Sequence, residues 1–336
     1  MTCASYGGAG FRLAQDIDKS LFDVVVVSPR NHFLFTPLLP STAVGTLEFR
    51  CIQEPVRTIP GVEYIQAACD KINFKDKSIE CEEIFKKRHF VEKFDYLFLA
   101  VGSETNTFGV PGVTGNSHVF FLKQLQHARA IRNRLLECFE RASTPDISAE
   151  ERKRLLTFVV VGGGPTNIEF ASELHDFLHD DVTRWYPDLK ESVQVVVVEA
   201  SQNILGSFKS SLVDYVEKLF KSRSIKVLTK TAIKEVKENV AVLGDGSSLP
   251  FGVMVWSTGI KQVDLVENIA SEVASTGNKR LLLDGHLRLL EKPSTDDNFN
   301  LPHIPAAGGS VFALGDCGCD VNRPLPALAQ VIQCIV

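Results

Sequence analysis

Short, uniformly apolar runs punctuate this chain, each closed by a glycine, a serine or an acidic residue and most followed by apolar positions at helical spacing. Phe22-Asp23-Val24-Val25-Val26-Val27-Ser28, Phe94 to Gly102, Leu155 to Val161, Val195-Val196-Val197-Val198, Val253 to Gly259 and Ser310 to Asp316 are runs of this kind. A run apolar on both faces suits a parallel strand covered by helices on either side. Helical spacing from Phe121 to Ala142 and after Val161 supplies covering helices. Strand and helix in alternation, with two glycine turns, predict an α/β fold of two Rossmann-like domains.

The clearest turn follows Leu155 to Val161. That run stops at Gly162-Gly163-Gly164, and helical spacing restarts at Pro165-Thr166-Asn167-Ile168-Glu169-Phe170-Ala171. Strand, glycine turn and helix place a pyrophosphate on the unsatisfied N–H groups of a helix N-terminus. Gly162 allows the tight turn and Gly164 lets backbone approach the phosphates, so a dinucleotide is the implied ligand. Asn167 stands where the third glycine of the pattern belongs. Asparagine lacks glycine's close fit, so a modest affinity penalty is expected. The next run ends in Glu199, placed to accept from a ribose 2′-hydroxyl and to repel a 2′-phosphate, which favours NADH over NADPH. Gly162 and Glu199 lie further apart than the usual ~20 residues. The excess falls between Asp180 and Glu191, where Trp185-Tyr186-Pro187 breaks the helical pattern. A glycine turn alone could be a buried strand–turn–helix without ligand; the run before it, the helix after it and the acidic strand end favour the dinucleotide.

A second turn lies near the N-terminus. In Ser5-Tyr6-Gly7-Gly8-Ala9-Gly10, Gly7 and Gly10 match the later glycines of the pattern, with Ser5 in place of the first. Met1-Thr2-Cys3-Ala4 is too short and too weakly apolar for a strand of ~5–6 residues. The first strand of this half is therefore expected to be missing, and the chain reads as truncated at its N-terminus. Gly102 and Gly259 each close an apolar run after one of the turns. Gly315-Asp316 closes another with a glycine for close approach and a carboxylate able to accept from a polyol such as the ribityl chain of a flavin. Asp316 also suits a helix N-cap, and the two roles are compatible.

Composition narrows the classes. The 336 residues, 44% of them hydrophobic, suffice for two domains, and a net charge of −5 provides no basic footprint for nucleic acid. No run reaches the ~18 apolar residues of a membrane span, and the N-terminus is neither a signal peptide nor an Arg-rich transit peptide. Cys3, Cys51, Cys69, Cys81, Cys138 and Cys334 are scattered, as reduced thiols are, and Cys317 and Cys319 flank a single glycine, too close for a CxxC metal pair. No metal site is expected. The absence of a paired redox cysteine weighs against disulfide reductases and sulfide:quinone oxidoreductases. Arg129, Arg132 and Arg134 read as a solvated helix face.

Taken in order, these motifs resemble the type II, single-subunit NADH:quinone oxidoreductases of the two-dinucleotide-binding flavoprotein superfamily. The segment from Val26 to Pro40, with Pro29, Arg30, Asn31, Thr36 and Pro37, is similar to the family's FAD-bordering stretch. Thr105 to Gly112 follows the first strand–glycine element as in the family, Gly162 to Glu173 resembles its NADH motif, Trp185-Tyr186-Pro187 its insertion, and Gly315-Asp316-Cys317 its second FAD motif. The resemblance covers most of residues 7 to 331 and stops beyond Val331, which implies truncation at the C-terminus as well. It implies an NAD domain inserted into an FAD domain: FAD-binding from 1 to 120, a helical linker from 121 to 150, NADH-binding from 151 to 285, and a return to the FAD domain from 286 to 336. It implies FAD at Gly7, Gly10, Pro29, Arg30, Asn31, Thr36, Pro37, Gly102, Gly315 and Asp316, and NADH at Gly162, Gly163, Gly164, Pro165, Thr166, Asn167, Glu199 and Gly259. Glu169 matches an acid near nicotinamide and flavin, although it also suits the positive helix N-terminus. Gln330, within Ala327-Leu328-Ala329-Gln330-Val331, matches a glutamine at the flavin and quinone end. The implied activity passes a hydride from NADH to FAD and two electrons to a quinone without proton pumping. Peripheral attachment of the full-length form to the mitochondrial inner membrane, and a homodimer, accompany it. A soluble NADH:acceptor diaphorase and a non-catalytic nucleotide-binding remnant lacking flavin are the alternatives.

Overall fold

The computed structural model describes residues 2–4, 8–292 and 304–324. The chain divides into two compact units: Met1–Phe35, Gln53–Glu104 and Lys261–Val336 form the first, and Thr36–Ile52 with Thr105–Ile260 form the second. The second unit is thus inserted into the first. The divisions fall at 104 and 260 rather than at 120 and 285, and the stretch read as a linker lies within the second unit. Thr36–Ile52 joins that unit out of sequence, a placement no composition shift signals.

The core of the first unit is a five-stranded, all-parallel sheet in the order Val311–Ala313, Leu97–Leu99, Thr2–Ala4, Val24–Val27, Val62–Ile65. The strand expected to be missing is therefore present as Thr2–Ala4, at the centre, in register with Val25–Val27 on one side and Leu97–Leu99 on the other. The reason is the scale of the sheet. Its other strands are only three or four residues long, so three residues suffice to hydrogen-bond both neighbours. The helix Gly8–Asp16 follows and buries Ala9, Gly10, Phe11 and Ala14; small residues at 9 and 10 let it lie close to the sheet. Thr2–Ala4 is also where the strand order reverses, which in open parallel sheets leaves a crevice at the carboxyl ends.

Ala67–Asn73, Ser78–Glu83 and His89–Lys93 form a separate antiparallel sheet, with Lys86-Lys87-Arg88 in the turn between the last two strands. Register places Cys69 directly opposite Cys81, so two of the scattered cysteines are neighbours. The hydrogen bond with Cys81, aided by burial, pushes the Cys69 thiol far up.

The second unit repeats the parallel design: Val119–Phe120, Val253–Trp256, Thr157–Val161, Gln194–Val198, Lys226–Leu228. Thr157–Val161 is buried at every position, as expected of a central strand with both faces covered. The helix Leu125–Ala142 packs nearby, and its arginines do not form a solvated face. Arg134 is 8% exposed and donates through Nε to the Gly252 carbonyl at 3.2 Å and through Nη1 to Glu137 at 2.6 Å. Arg132 donates to the Val44 carbonyl and stacks 4.4 Å over the Phe177 ring, while exposed Arg129 lies 4.9 Å over Phe49. The helix meets the Thr36–Ile52 excursion on one side and the sheet on the other, and sequence spacing shows neither.

The helix Pro165–Phe177 passes into a π-turn at Leu178–Val182 and ends near Trp185, where the sequence pattern breaks. Tyr186 docks this insertion by stacking 5.4 Å from Phe139 and donating its hydroxyl to Glu140 at 2.8 Å. No helix among the described residues is long and apolar enough to cross a membrane.

Candidate functional site

In the second unit the glycine turn sits at the carboxyl end of Thr157–Val161, the strand between Gln194–Val198 and Val253–Trp256. Gly162 has φ of 111° and donates to the Val198 carbonyl at 2.8 Å. A Cβ there would lie 2.6 Å from Asn167 Nδ2 and 2.7 Å from Thr258 Cβ, so only glycine fits. Gly163 donates its N–H to Glu199 Oε2, and a Cβ on it would lie 2.9 Å from that same oxygen. Gly164 is the N-cap of Pro165–Phe177, Pro165 and Thr166 open the first turn, and no atom lies within 4 Å of a Cβ built on Gly164. The turn is thus closed on its inner side and open at the helix N-terminus. That shape suits a pyrophosphate.

Glu199 stands at the end of Gln194–Val198 with both oxygens engaged: Oε2 accepts from Gly163 and Oε1 from the Ser201 N–H at 2.6 Å. Two backbone donors therefore fix the carboxylate at the carboxyl end of Gln194–Val198. Gly259 has φ of 70°, and a side chain on it would overlap Phe108. The neighbouring loop is fixed by Trp256 Nε1, which donates to the Asn106 carbonyl at 3.0 Å.

Asn167 is not a loose stand-in for glycine. Its side chain is fully buried, and Nδ2 donates to the carbonyls of Val161 at 2.8 Å and Ser257 at 3.0 Å, while Oδ1 has no partner among the described residues.

Glu169, one turn further along the helix, is exposed to solvent, yet partial desolvation, assisted by the charge of Glu173, raises its pKa. Glu173 accepts from Ser41 Oγ at 2.9 Å and Thr46 Oγ1 at 3.0 Å, tying the Thr36–Ile52 excursion to this helix. Sequence reading singled out neither Glu173 nor these hydroxyls. The one signal available was the four-residue spacing that puts Glu169 and Glu173 on one face.

In the first unit, Gly102 and Gly315 have φ of 69° and 76°, and a Cβ on Gly315 would lie 4.0 Å from that of Ala9 in the Gly8–Asp16 helix. Asp316 Oδ2 accepts from Ser103 Oγ at 2.8 Å, joining the segments after Leu97–Leu99 and Val311–Ala313. It lies inside the Gly315–Cys317 turn, whose N-cap position Leu314 holds. Cys317 is fully buried and donates to the Leu99 and Leu314 carbonyls, both at 3.3 Å, and burial pushes its thiol up to about 11.

Pro29, Arg30 and Asn31 follow the strand Val24–Val27. Arg30 Nε donates to the His32 carbonyl at 3.1 Å, and burial lowers its guanidinium from the usual value. The Pro29 carbonyl accepts from Gln66 Nε2 at 3.1 Å and the Asn31 carbonyl from the Val56 N–H at 3.0 Å. Among the residues expected at FAD, Gly10, Pro29, Arg30, Asn31, Gly102, Gly315 and Asp316 belong to the first unit, whereas Thr36 and Pro37 belong to the second. Gly7 and Gln330 lie outside the described residues.

The donors and spaces present fit the implied cofactors. The second-unit turn rejects side chains inward, leaves its helix end open and carries a fixed carboxylate, as a dinucleotide lacking a 2′-phosphate requires. In the first unit, two positive-φ glycines and a carboxylate surround the carboxyl ends of the central strands, as a flavin nucleotide requires.

Known proteins agree. The family model described as pyridine nucleotide-disulphide oxidoreductase matches residues 6–333. A probable NADH dehydrogenase of Dictyostelium discoideum is 43% identical over 330 residues, which are 97% of this chain and 69% of the relative. The external NADH-ubiquinone oxidoreductase 2, mitochondrial, of Saccharomyces cerevisiae is 40% identical over 93% of this chain and 56% of its own length. Among solved structures, NDH2 from Plasmodium falciparum in complex with NADH superposes with a TM-score of 0.87 at 30% identity, covering 95% of this chain and 64% of that one. The chain thus spans between about half and two-thirds of the length of these relatives. It belongs to the pyridine nucleotide-disulphide oxidoreductase family, among the type II, alternative NADH-ubiquinone oxidoreductases.

Proposed function

We propose that the protein is an FAD-dependent NADH dehydrogenase that reduces a quinone without pumping protons. The observation that carries this reading is the repeated design: two all-parallel five-stranded sheets, each with a helix leaving the strand at which the order reverses, the second closed by Gly162–Gly164 and Glu199. Bound FAD would supply the two-electron chemistry, accepting hydride from NADH and returning electrons to the quinone. The chain's own groups bind and orient. Gly162, Gly163, Gly164, Pro165, Thr166 and Asn167 shape the pyrophosphate seat of NADH, Glu199 accepts from its adenosine ribose, and Gly259 lets the backbone approach. Gly7, Gly10, Pro29, Arg30, Asn31, Thr36, Pro37, Gly102, Gly315 and Asp316 are assigned to FAD, with Asp316 as the polyol acceptor. Glu169 is the acid that can hold a proton at its carboxyl oxygen for quinone reduction, and its raised pKa serves that role. Gln330 is assigned to the quinone end.

The Saccharomyces cerevisiae relative, named as mitochondrial, supports placement in the mitochondrion; peripheral attachment of the full-length form to the inner membrane and a homodimer belong to the same proposal. An anaerobic titration of the purified full-length protein tests the function. Flavin absorbance bleached by NADH and restored by ubiquinone is expected. A protein without flavin, or a flavin that NADH does not bleach, would refute the proposal; bleaching restored by dyes and not by quinone would favour a diaphorase.

A further inference from the structure

Where the dinucleotide pattern calls for a third glycine, this chain buries a carboxamide. Asn167 bridges the Val161 carbonyl, the last of Thr157–Val161, and the Ser257 carbonyl, the first after Val253–Trp256, at 2.8 and 3.0 Å. The bridge crosses between two strands in register, Val161 facing Trp256, at the point where Gly162 turns the chain. Nδ2 would lie 2.6 Å from a Cβ on Gly162, so the carboxamide also fills the inner side of the turn. Its own N–H donates to the Gly164 carbonyl at 3.1 Å, so backbone and side chain of one residue hold both ends of Gly162–Gly164.

Glycine serves this position by letting helix and strand come together. Asparagine achieves the approach differently, by hydrogen bonds that draw two strand ends toward the helix. Without Nδ2, the Ser257 carbonyl loses its bond, and the Val161 carbonyl keeps only a long one from the Ser257 N–H at 3.4 Å. The bond to Val161 is buried and that to Ser257 partly so, and the donor itself is fully buried, so exchange for solvent is costly. The unpartnered Oδ1 is a cost that persists as long as the side chain is held for its Nδ2 bonds.

We propose that Asn167 is a positioning residue for the dinucleotide: its buried carboxamide locks the Gly162–Gly164 turn in the shape that receives the pyrophosphate and strengthens NADH binding. This rests on the reading of that turn as the NADH site, and it reverses the affinity penalty expected from sequence. The test uses ADP-ribose, which carries the pyrophosphate and lacks the nicotinamide, in equilibrium titrations of the full-length flavin-loaded protein, with NADH kinetics in parallel. For Asn167→Gly, the ADP-ribose Kd is expected to rise on the order of tenfold, as two lost hydrogen bonds imply, and the NADH KM to rise by a larger factor than kcat falls. Asn167→Asp, which turns an oxygen toward two carbonyls, should weaken ADP-ribose further. Flavin content and thermal midpoint show whether each variant is folded. A folded Asn167→Gly protein that binds ADP-ribose as well as the parent, or better, would overturn the proposal. If the unsubstituted protein does not bind ADP-ribose, the NADH-site reading falls and the proposal with it.

Discussion

Glu199→Gln isolates the carboxylate charge while nearly preserving shape. Glu199 receives two backbone N–H groups, from Gly163 and from Ser201 at 2.6 Å. Glutamine offers one acceptor, so one donor would face an amide NH2 and the other would keep a neutral bond. Loss of one charge-assisted bond costs about 1.5–3 kcal/mol, and its effect falls on the turn through Gly163. For NADH, kcat/KM should therefore drop roughly tenfold. For NADPH a second effect opposes the first. A 2′-phosphate carries a charge of about −1.5 to −2, and against a carboxylate ~5 Å away at an effective dielectric of ~40, the repulsion is about 3 kcal/mol. Glu199 is only partly buried, and salt screening reduces this to about 1.5 kcal/mol. The NADPH/NADH ratio of kcat/KM should accordingly rise on the order of tenfold, and by more at low ionic strength. Initial rates with both nucleotides at two salt concentrations measure it. A ratio that does not change would refute the argument, because it would mean that the 2′ position lies elsewhere.

Further predictions concern the acid pair, a backbone contact and the thiols. Desolvation and, second to it, the charge of Glu173 raise the pKa of Glu169, so Glu173→Gln should move the Glu169-dependent limb of the pH–rate profile part of the way to lower pH; Glu169→Gln should abolish that limb, and an unmoved limb in Glu173→Gln would contradict the pairing. A side chain on Gly252 would overlap the Leu155 carbonyl oxygen, so Gly252→Ala should cost about 3 kcal/mol in urea unfolding, while Gly277→Ala, with open space around it, should change little; equal midpoints would refute the packing account. On alkylation of the folded protein, exposed Cys51 should react before buried Cys138 and Cys317, both pushed up to about 11, which should stay unlabelled by mass spectrometry; early labelling of Cys317 would contradict its burial.

Strand identity was legible because burial on both faces leaves an unmistakable trace. Val24–Val27, Thr157–Val161, Gln194–Val198 and Val253–Trp256 all lie within runs recognisable as apolar throughout. Thr2–Ala4 was not legible, because the place of a three-residue strand at the sheet centre comes from backbone pairing with Val25–Val27 and Leu97–Leu99, and pairing partners leave no mark in its own residues. The compact units divide the chain differently from the expected domains for a related reason: nothing within Thr36–Ile52 says which neighbours it will pack on. Only folding shows Ser41 and Thr46 meeting Glu173, and Val44 meeting Arg132.

The same distinction separates the parts of the candidate site. Glycines are readable because a steric demand acts on the residue itself: φ of 111° at Gly162 or 70° at Gly259 nearly dictates the amino acid. Polar side chains that serve carbonyls are not readable, because the demand comes from backbone atoms distant in sequence. Arg134 and Arg154 illustrate this: helical spacing made the first a surface charge, yet they donate to the carbonyls of Gly252 and Phe251 and so fix the entry to Val253–Trp256. Asn167 is the same case at closer quarters. Compared with a glycine pattern it looks like a defect; with Val161 and Ser257 in place it is a donor to two carbonyls that a glycine would leave without it. A departure from a motif can therefore be judged only against the atoms that surround it, and in this turn those atoms favour asparagine.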